Sequence, residues 1–180
     1  MHPAERELRT GGIDVLITER DAGERGPLPD GLAERVLADD PYRVVVPTPW
    51  TIRPRLVPDL TDQPWISGPP EAACGQRLDR LAAQYRFTPR RAHVCREFPS
   101  VLGLVAGGFG AAIIPMLALR DADPDTVTVT DITVGGARRL APVHRVSRAG
   151  IEPVVTVTLD ALSESANRLG PGVPRPRPAL

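Results

Sequence analysis

The residues best equipped for chemistry are few and scattered. His93 and Cys95 stand two apart in a stretch that reads as a strand, so both side chains would share one face. Imidazole and thiolate both bind zinc, but a zinc site needs several ligands at close spacing. Cys74, His2 and His144 lie far away in sequence, so two ligands at most are available and no metal is expected. Glu19, Asp21 and Glu24 gather carboxylates in a polar, Gly-containing stretch, which reads as a solvated loop rather than an acid–base pair. Gly107-Gly108-Phe109-Gly110 looks at first like a phosphate loop. It lies between a helix and the following strand, the reverse of strand–loop–helix order, and no Gly-Lys-Ser/Thr follows, so it reads as a tight turn. There is no Gly-x-Ser-x-Gly and no His-Glu-x-x-His. No catalytic residue and no cofactor are therefore expected.

Other residues have the chemistry to hold a ligand without transforming it. Ser67-Gly68 follows the apolar pair Trp65-Ile66, and a hydroxyl with backbone N–H groups there could hold a carboxylate. Glu97-Phe98-Pro99-Ser100 opens a helix, where the first N–H groups are unpaired and carry partial positive charge. Thr18 and Thr48 follow apolar strand-like runs. Each is also an ordinary turn residue, and the residues alone leave both readings open.

These positions depend on the elements around them. Pro3 to Arg9 is helix-compatible and stops at Gly11-Gly12. Ile13–Ile17 reads as a short buried strand, Thr18–Gly31 as a loop, and Leu32–Leu37 is too short to assign. Arg43–Pro47 is a β-branched strand ended by proline, and Pro49–Asp62 is proline-punctuated and irregular. Ala73–Tyr85 is an amphipathic helix, with Leu78, Leu81, Ala82 and Tyr85 at i, i+3, i+4 and i+7. Ala92–Phe98 reads as a strand, Pro99–Ala106 as a helix and Ala111–Pro115 as a buried strand. Thr126–Val134 alternates like an edge strand, Arg139–Val146 is a further strand, and Glu152–Arg168 is a helix. Gly170–Leu180 carries four prolines and no periodicity, so a disordered tail is expected. Short β-branched runs alternating with helices predict an α/β fold with a mostly parallel sheet.

Composition excludes several classes. In 180 residues, 22 basic and 22 acidic side chains cancel, and every basic one is Arg. A balanced chain exerts no long-range pull on phosphate backbones or anionic lipid. Aromatics are 4%, too few for a base-stacking platform. The opening residues have no apolar signal core, and no stretch approaches a membrane span. The expectation is a soluble, cytoplasmic chain with reduced thiols.

Four blocks, in order, resemble the effector-binding domain of LysR-type transcriptional regulators. The first is Glu7-Leu8-Arg9-Thr10-Gly11-Gly12-Ile13-Asp14-Val15-Leu16-Ile17. The second is Tyr42–Pro47, followed by Asp59-Leu60-Thr61-Asp62-Gln63-Pro64-Trp65-Ile66. The third and most specific is Val101–Pro115, similar to the family's L-V-A-x-G-(L/F)-G signature and the strand ending in proline. The fourth is Arg139–Arg145. The resemblance runs from about Glu5 to Arg168.

It implies two Rossmann-like α/β lobes of the type 2 periplasmic-binding-protein kind, joined by two crossover strands, with a small-molecule effector in the interlobe cleft. Residues 1–42 and 147–169 would form lobe one, 43–48 and 139–146 the hinge strands, and 49–138 lobe two. Ligand contacts would fall on Thr18, Thr48, Ser67, Gly68, Glu97, Phe98, Pro99 and Ser100. The chain departs from the family in showing no winged helix-turn-helix, linker helix or opening strand–helix–strand. The first lobe is thus expected to be truncated at its N-terminus, and the chain alone is not expected to bind DNA or membrane. Either stability is low or self-association compensates, with a homodimer as the candidate assembly. The alternatives are a solute-binding protein of similar fold, or an enzyme on the same architecture.

Overall fold

A computed structural model describes residues 3–23, 28–120, 122–147 and 150–168. His2, Glu24 and the expected disordered tail lie outside the described residues. The elements are α1 (Pro3–Thr10), β1 (Val15–Asp21), β2 (Leu32–Glu34), β3 (Ala38–Pro47), β4 (Pro64–Ser67), α2 (Ala73–Tyr85), β5 (Arg90–Val94), α3 (Phe98–Ala106), β6 (Ala111–Pro115), β7 (Val127–Val129), β8 (Ala137–Arg145) and α4 (Pro153–Asn167). The class is the α/β one read from the sequence. The sheet is mixed rather than mostly parallel: β4 runs parallel to β5 and β6, while β3 runs antiparallel to β6 and β7, and β2 antiparallel to β8.

By compactness the chain divides into Pro41–Arg138 and a second unit made from the stretches before and after it. In Pro41–Arg138 the period-two alternation of the strands sends side chains to both sheet faces. Tyr42, Val44, Val46, Trp65, Ala111 and Ile113 pack with Leu78 and Leu81 of α2. Val45, Ile66, Ala112 and Ile114 pack with Val101 and Val105 of α3. The apolar stripe of α2 and the small, apolar α3 are thus read by opposite faces of one sheet. Helix α2 ends where Arg86 turns left-handed, at φ 55°. Helix α3 ends at Gly107, and Gly108, with φ 86°, then takes a conformation that only glycine adopts without strain.

The expected strand Thr126–Val134 is cut to Val127–Val129. Ile132 and Val134 are buried all the same, because a side-chain scaffold holds them. Thr130 Oγ1 donates to Val44 O at 3.1 Å and accepts the Ile132 N–H at 3.3 Å. Arg77 of α2 donates its guanidinium to Val134 O.

The other unit buries Leu8, Ala141, Val143, Val155 and Leu159. Strand β1 extends through Thr18–Asp21, which the sequence suggested as loop. Pairing supplies what propensity lacks here: Thr18 Oγ1 donates to Ala141 O at 2.9 Å, and Arg20 pairs with Glu34 of β2. Strand β3 likewise begins five residues before Arg43. Arg139 grips Asp39 there in a two-pronged ion pair, Nε to Oδ1 at 2.7 Å and Nη2 to Oδ2 at 2.8 Å. That hydrogen bonding raises the Arg139 pKa above the ordinary arginine value. Arg145 donates to Leu8 O and Ile13 O, each at 2.6 Å, and to Asp14 Oδ1 at 2.6 Å. A single guanidinium thereby satisfies carbonyls at the end of α1 and fastens them to β8.

Candidate functional site

Within Pro41–Arg138, β4, β5 and β6 form a parallel trio with β4 in the middle. The chain leaves β4 through α2 to reach β5 on one side, then returns through α3 to β6 on the other. A parallel sheet that winds both ways opens a crevice beyond the carboxyl ends of its strands. Ser67 ends β4, and Gly68, Glu97, Phe98, Pro99 and Ser100 follow the carboxyl ends of β4 or β5.

The turn from β4 into α2 is tightly built. Ser67 is buried, its hydroxyl donates to Gly68 O at 2.8 Å, and its carbonyl accepts the Cys95 N–H at 2.9 Å. A Cβ on Gly68 would stand 2.5 Å from Cys74 Sγ. One on Gly75 would stand 2.1 Å from Pro69 O. Two glycines therefore let the start of α2 fold back onto the strand end. The Ser67 hydroxyl proton is spent on locking this turn.

The turn from β5 into α3 is more open. Glu97 is the extended residue before the helix, at φ −100° and ψ 129°, and its side chain makes no capping hydrogen bond. The first helical bond runs from Val101 N–H to Glu97 O at 3.1 Å. The N–H groups of Phe98 and Ser100 precede it, and Pro99 has none to offer. Glu97, Pro99 and Ser100 are exposed, and Phe98 is half-buried. The two turns are tied by an exposed ion pair, Arg96 to Glu71 at 3.1 Å. Arg138 lies over the Phe98 ring, its Cζ 5.0 Å from the centroid.

Arg96, Glu71 and Arg138 were not found by sequence reasoning. Arg96 precedes Glu97 directly, so its place beside the turn was available. Nothing in the sequence placed Arg138 on Phe98, forty residues earlier.

The two threonines lie elsewhere. Thr48 follows β3 at the end of that strand away from Tyr42. Since Tyr42 pairs with Pro115 and Val45 with Ala112, Thr48 is at the opposite sheet end from Ser67. Its N–H donates to Thr126 O at 3.0 Å, and its hydroxyl meets that of Thr128 at 2.9 Å. Thr18 belongs to β1 in the other unit, and its hydroxyl is engaged by Ala141. His93 meets Phe109 edge to face, with ring centroids 5.5 Å apart. Cys74 packs with the α2-side core and Cys95 with the α3-side core. Among the described residues no group of three or more His, Cys, Asp or Glu side chains is placed to hold a metal. None of the described helices is long and apolar enough to cross a membrane.

This is an α/β ligand-binding architecture of the type 2 periplasmic-binding-protein kind. Residues 2–166 match the model of the LysR substrate binding domain, and the chain belongs to that family. Its fold is shared by the regulatory domain of CcmR from Synechocystis PCC6803, solved in complex with 2-PG. There the TM-score is 0.72 at 15% identity, over 92% of this chain and 79% of that one. The effector binding domain of QuiR, in complex with shikimate, gives 0.68 at 17%, over 92% and 78%. HinK, a LysR family transcriptional regulator from Pseudomonas aeruginosa, gives 0.73 at 17%, over 92% of this chain and 56% of HinK. No curated protein matches the chain by sequence.

Proposed function

We propose that the chain senses a small polar metabolite for a LysR-type transcription regulator and performs no chemistry on it. In this reading the effector docks at Gly68 and at the α3 entry, Glu97, Phe98, Pro99 and Ser100. The observation that carries the reading is the convergence of two strand-to-helix turns at the carboxyl ends of adjacent parallel strands, tied by Arg96–Glu71. The helix-start N–H groups favour a carboxylate or other acceptor. Glu97, beside them, opposes a multiply charged anion, so a monoanionic or zwitterionic metabolite fits best. Ser67 supports the turn from below, whereas Thr48 lies at the opposite sheet end and the Thr18 hydroxyl is engaged by Ala141 O, so neither threonine is placed in the proposed contact set. The chain passes between its units at Asp40–Pro41 and Arg138–Arg139. These passages, within the strands 43–48 and 139–146 and the residues just before them, are the proposed hinge through which an effector biases conformation.

A thermal-shift screen of small polar metabolites, repeated on Ser100→Ala and Glu97→Gln, tests the site. Ser100→Ala removes a hydroxyl contact but keeps the helix-start N–H groups, so it should weaken a true effector by about two- to tenfold, the range of a single hydrogen bond. Glu97→Gln should strengthen anionic hits. A confirmed ligand indifferent to both changes places the site elsewhere. We also expect the chain alone to give no sub-micromolar, salt-dependent anisotropy signal with promoter DNA, since its charges cancel.

A further inference from the structure

Arg138 reaches the α3 entry along a segment that is fixed before it arrives. Gly135 and Gly136 both turn left-handed, at φ 61° and 68°. The Arg77 guanidinium lies against them, so that a Cβ on Gly136 would stand 2.7 Å from Arg77 Nη1. The same guanidinium holds Val134 O, which pins this stretch to α2. Strand β8 then begins, and successive residues on a strand point to opposite faces. Arg139 turns to Asp39, and the half-buried Arg138 turns the other way, over the Phe98 ring. Phe98 is itself anchored, since it packs against the core cluster that contains Val101 and Val105. Arg138, Phe98 and the α3 entry all belong to Pro41–Arg138.

A guanidinium stacked on an aromatic ring keeps its N–H donors in its own plane, directed past the ring. Those donors form a rigid fork that matches a carboxylate through two parallel hydrogen bonds. Charge narrows the choice of acceptor. Arg96 and Glu71 are paired with each other, and Glu97 and Arg138 are the charges on either side of Phe98. Glu97 alone would leave the entry negative. Arg138 offsets it, so a single carboxylate is accepted while a dianion is opposed.

We propose that Arg138 is the specificity-determining residue of this site and that the effector binds it through one carboxylate. The proposal rests on the reading that the effector docks at the α3 entry. Phe98 is the positioning residue, because its ring holds the guanidinium flat and limits the rotamer freedom lost on binding.

An NMR titration of the full chain with acetate, acetamide and inorganic phosphate, at matched ionic strength, tests it. It is repeated on Arg138→Met, Arg138→Lys and Phe98→Leu, each checked for native far-UV circular dichroism. Acetate should give saturable shifts at the Arg138 Nε–H and the Ser100 N–H, with a dissociation constant on the order of 1–10 mM for so small a probe. Acetamide and phosphate should bind about tenfold more weakly or less. Arg138→Met should weaken acetate by about tenfold or more and abolish its preference over acetamide. Arg138→Lys, which keeps the charge but not the fork, should recover only part of the loss, and Phe98→Leu should weaken acetate severalfold with Arg138 intact. A wild-type chain without saturable acetate shifts up to about 100 mM overturns the proposal. So does phosphate binding as tightly as acetate, or Arg138→Lys binding acetate as the wild type does; that second variant decides the matter if Arg138→Met does not fold. Acetate shifts at Ser100 that persist undiminished in Arg138→Met remove Arg138 and leave the α3 entry standing. Shifts at Arg138 with none at Ser100 remove the α3 entry, and with it the role proposed for Arg138.

Discussion

The two units of this chain are held together by different means. Pro41–Arg138 sandwiches its sheet between apolar side chains on both faces, with Trp65 fully buried at the centre of one of them. The other unit buries fewer large side chains and relies on arginine: Arg20 with Glu34, Arg35 with Asp160, Arg139 with Asp39, and Arg145 with Asp14 and two carbonyls. Apolar burial is not weakened by ionic screening, whereas partly exposed ion pairs are. The units should therefore respond differently to the same perturbation, and the proposed binding turns belong to the unit with the stronger core.

The sharpest way to break this contrast is Trp65→Ala. Its ring meets Phe87 at a centroid distance of 6.3 Å, and its indole N–H donates to Leu60 O at 3.2 Å. Removing it should cost about 3–5 kcal/mol, a large share of a typical domain's stability. Hydrogen exchange should show the loss first in β4, β6 and α2. If those amides stay protected, the core does not centre on Trp65.

Arg145→Met should have a smaller effect confined to the other unit. The side chain is 30% exposed, so screening discounts its ion pair. The loss of two carbonyl-directed hydrogen bonds dominates, at about 1–3 kcal/mol together. Faster exchange in α1 and β8 at unchanged protection of α2 is the expected result. The wild-type chain in about 1 M salt should shift in the same direction. A uniform loss of protection across both units would show that they unfold together and that the contrast has no thermodynamic meaning.

The smallest effect concerns pH. The Arg55 and Leu56 N–H groups donate to Asp59 Oδ2 at 2.8 and 3.0 Å and hold its carboxyl below the ordinary value of 3.8. A carboxyl depressed in the folded state contributes stability above its unfolded value. That contribution is lost as pH falls below 3.8 and through the folded value. The Arg55 and Leu56 amide shifts should follow a single acid titration by NMR, and Asp59→Asn should remove it. Persistence of the titration in that variant would assign it to another carboxyl.

The better-packed unit was also the more legible one. Helix α2 was read over the same residues the structure shows, and α3 began one residue earlier than read, because apolar period and Gly or Pro punctuation agreed there. The arginine-held unit hid its strands. Thr18-Glu19-Arg20-Asp21 and Asp39-Asp40-Pro41 have poor strand propensity, and partners far along the chain hold them extended. The mixed sheet was missed for a related reason, since period reveals a strand but not its direction. The two candidate turns were legible as strand-to-helix junctions. The arginine on Phe98 and the tie between the turns are tertiary facts with no local signature.

The Gly68–Gly75 turn bears on how sequence variation in this family should be read. With Pro69 O standing where a Gly75 Cβ would go, any other residue there forces the backbone apart, whatever ligand is bound. Relatives that sense unrelated molecules should therefore keep glycine at this position, and a mutational scan should find it intolerant even under selection for folding alone. Invariance at Gly75 would record a steric condition on the turn, whereas the proposed effector choice would be written at positions such as 97 and 100.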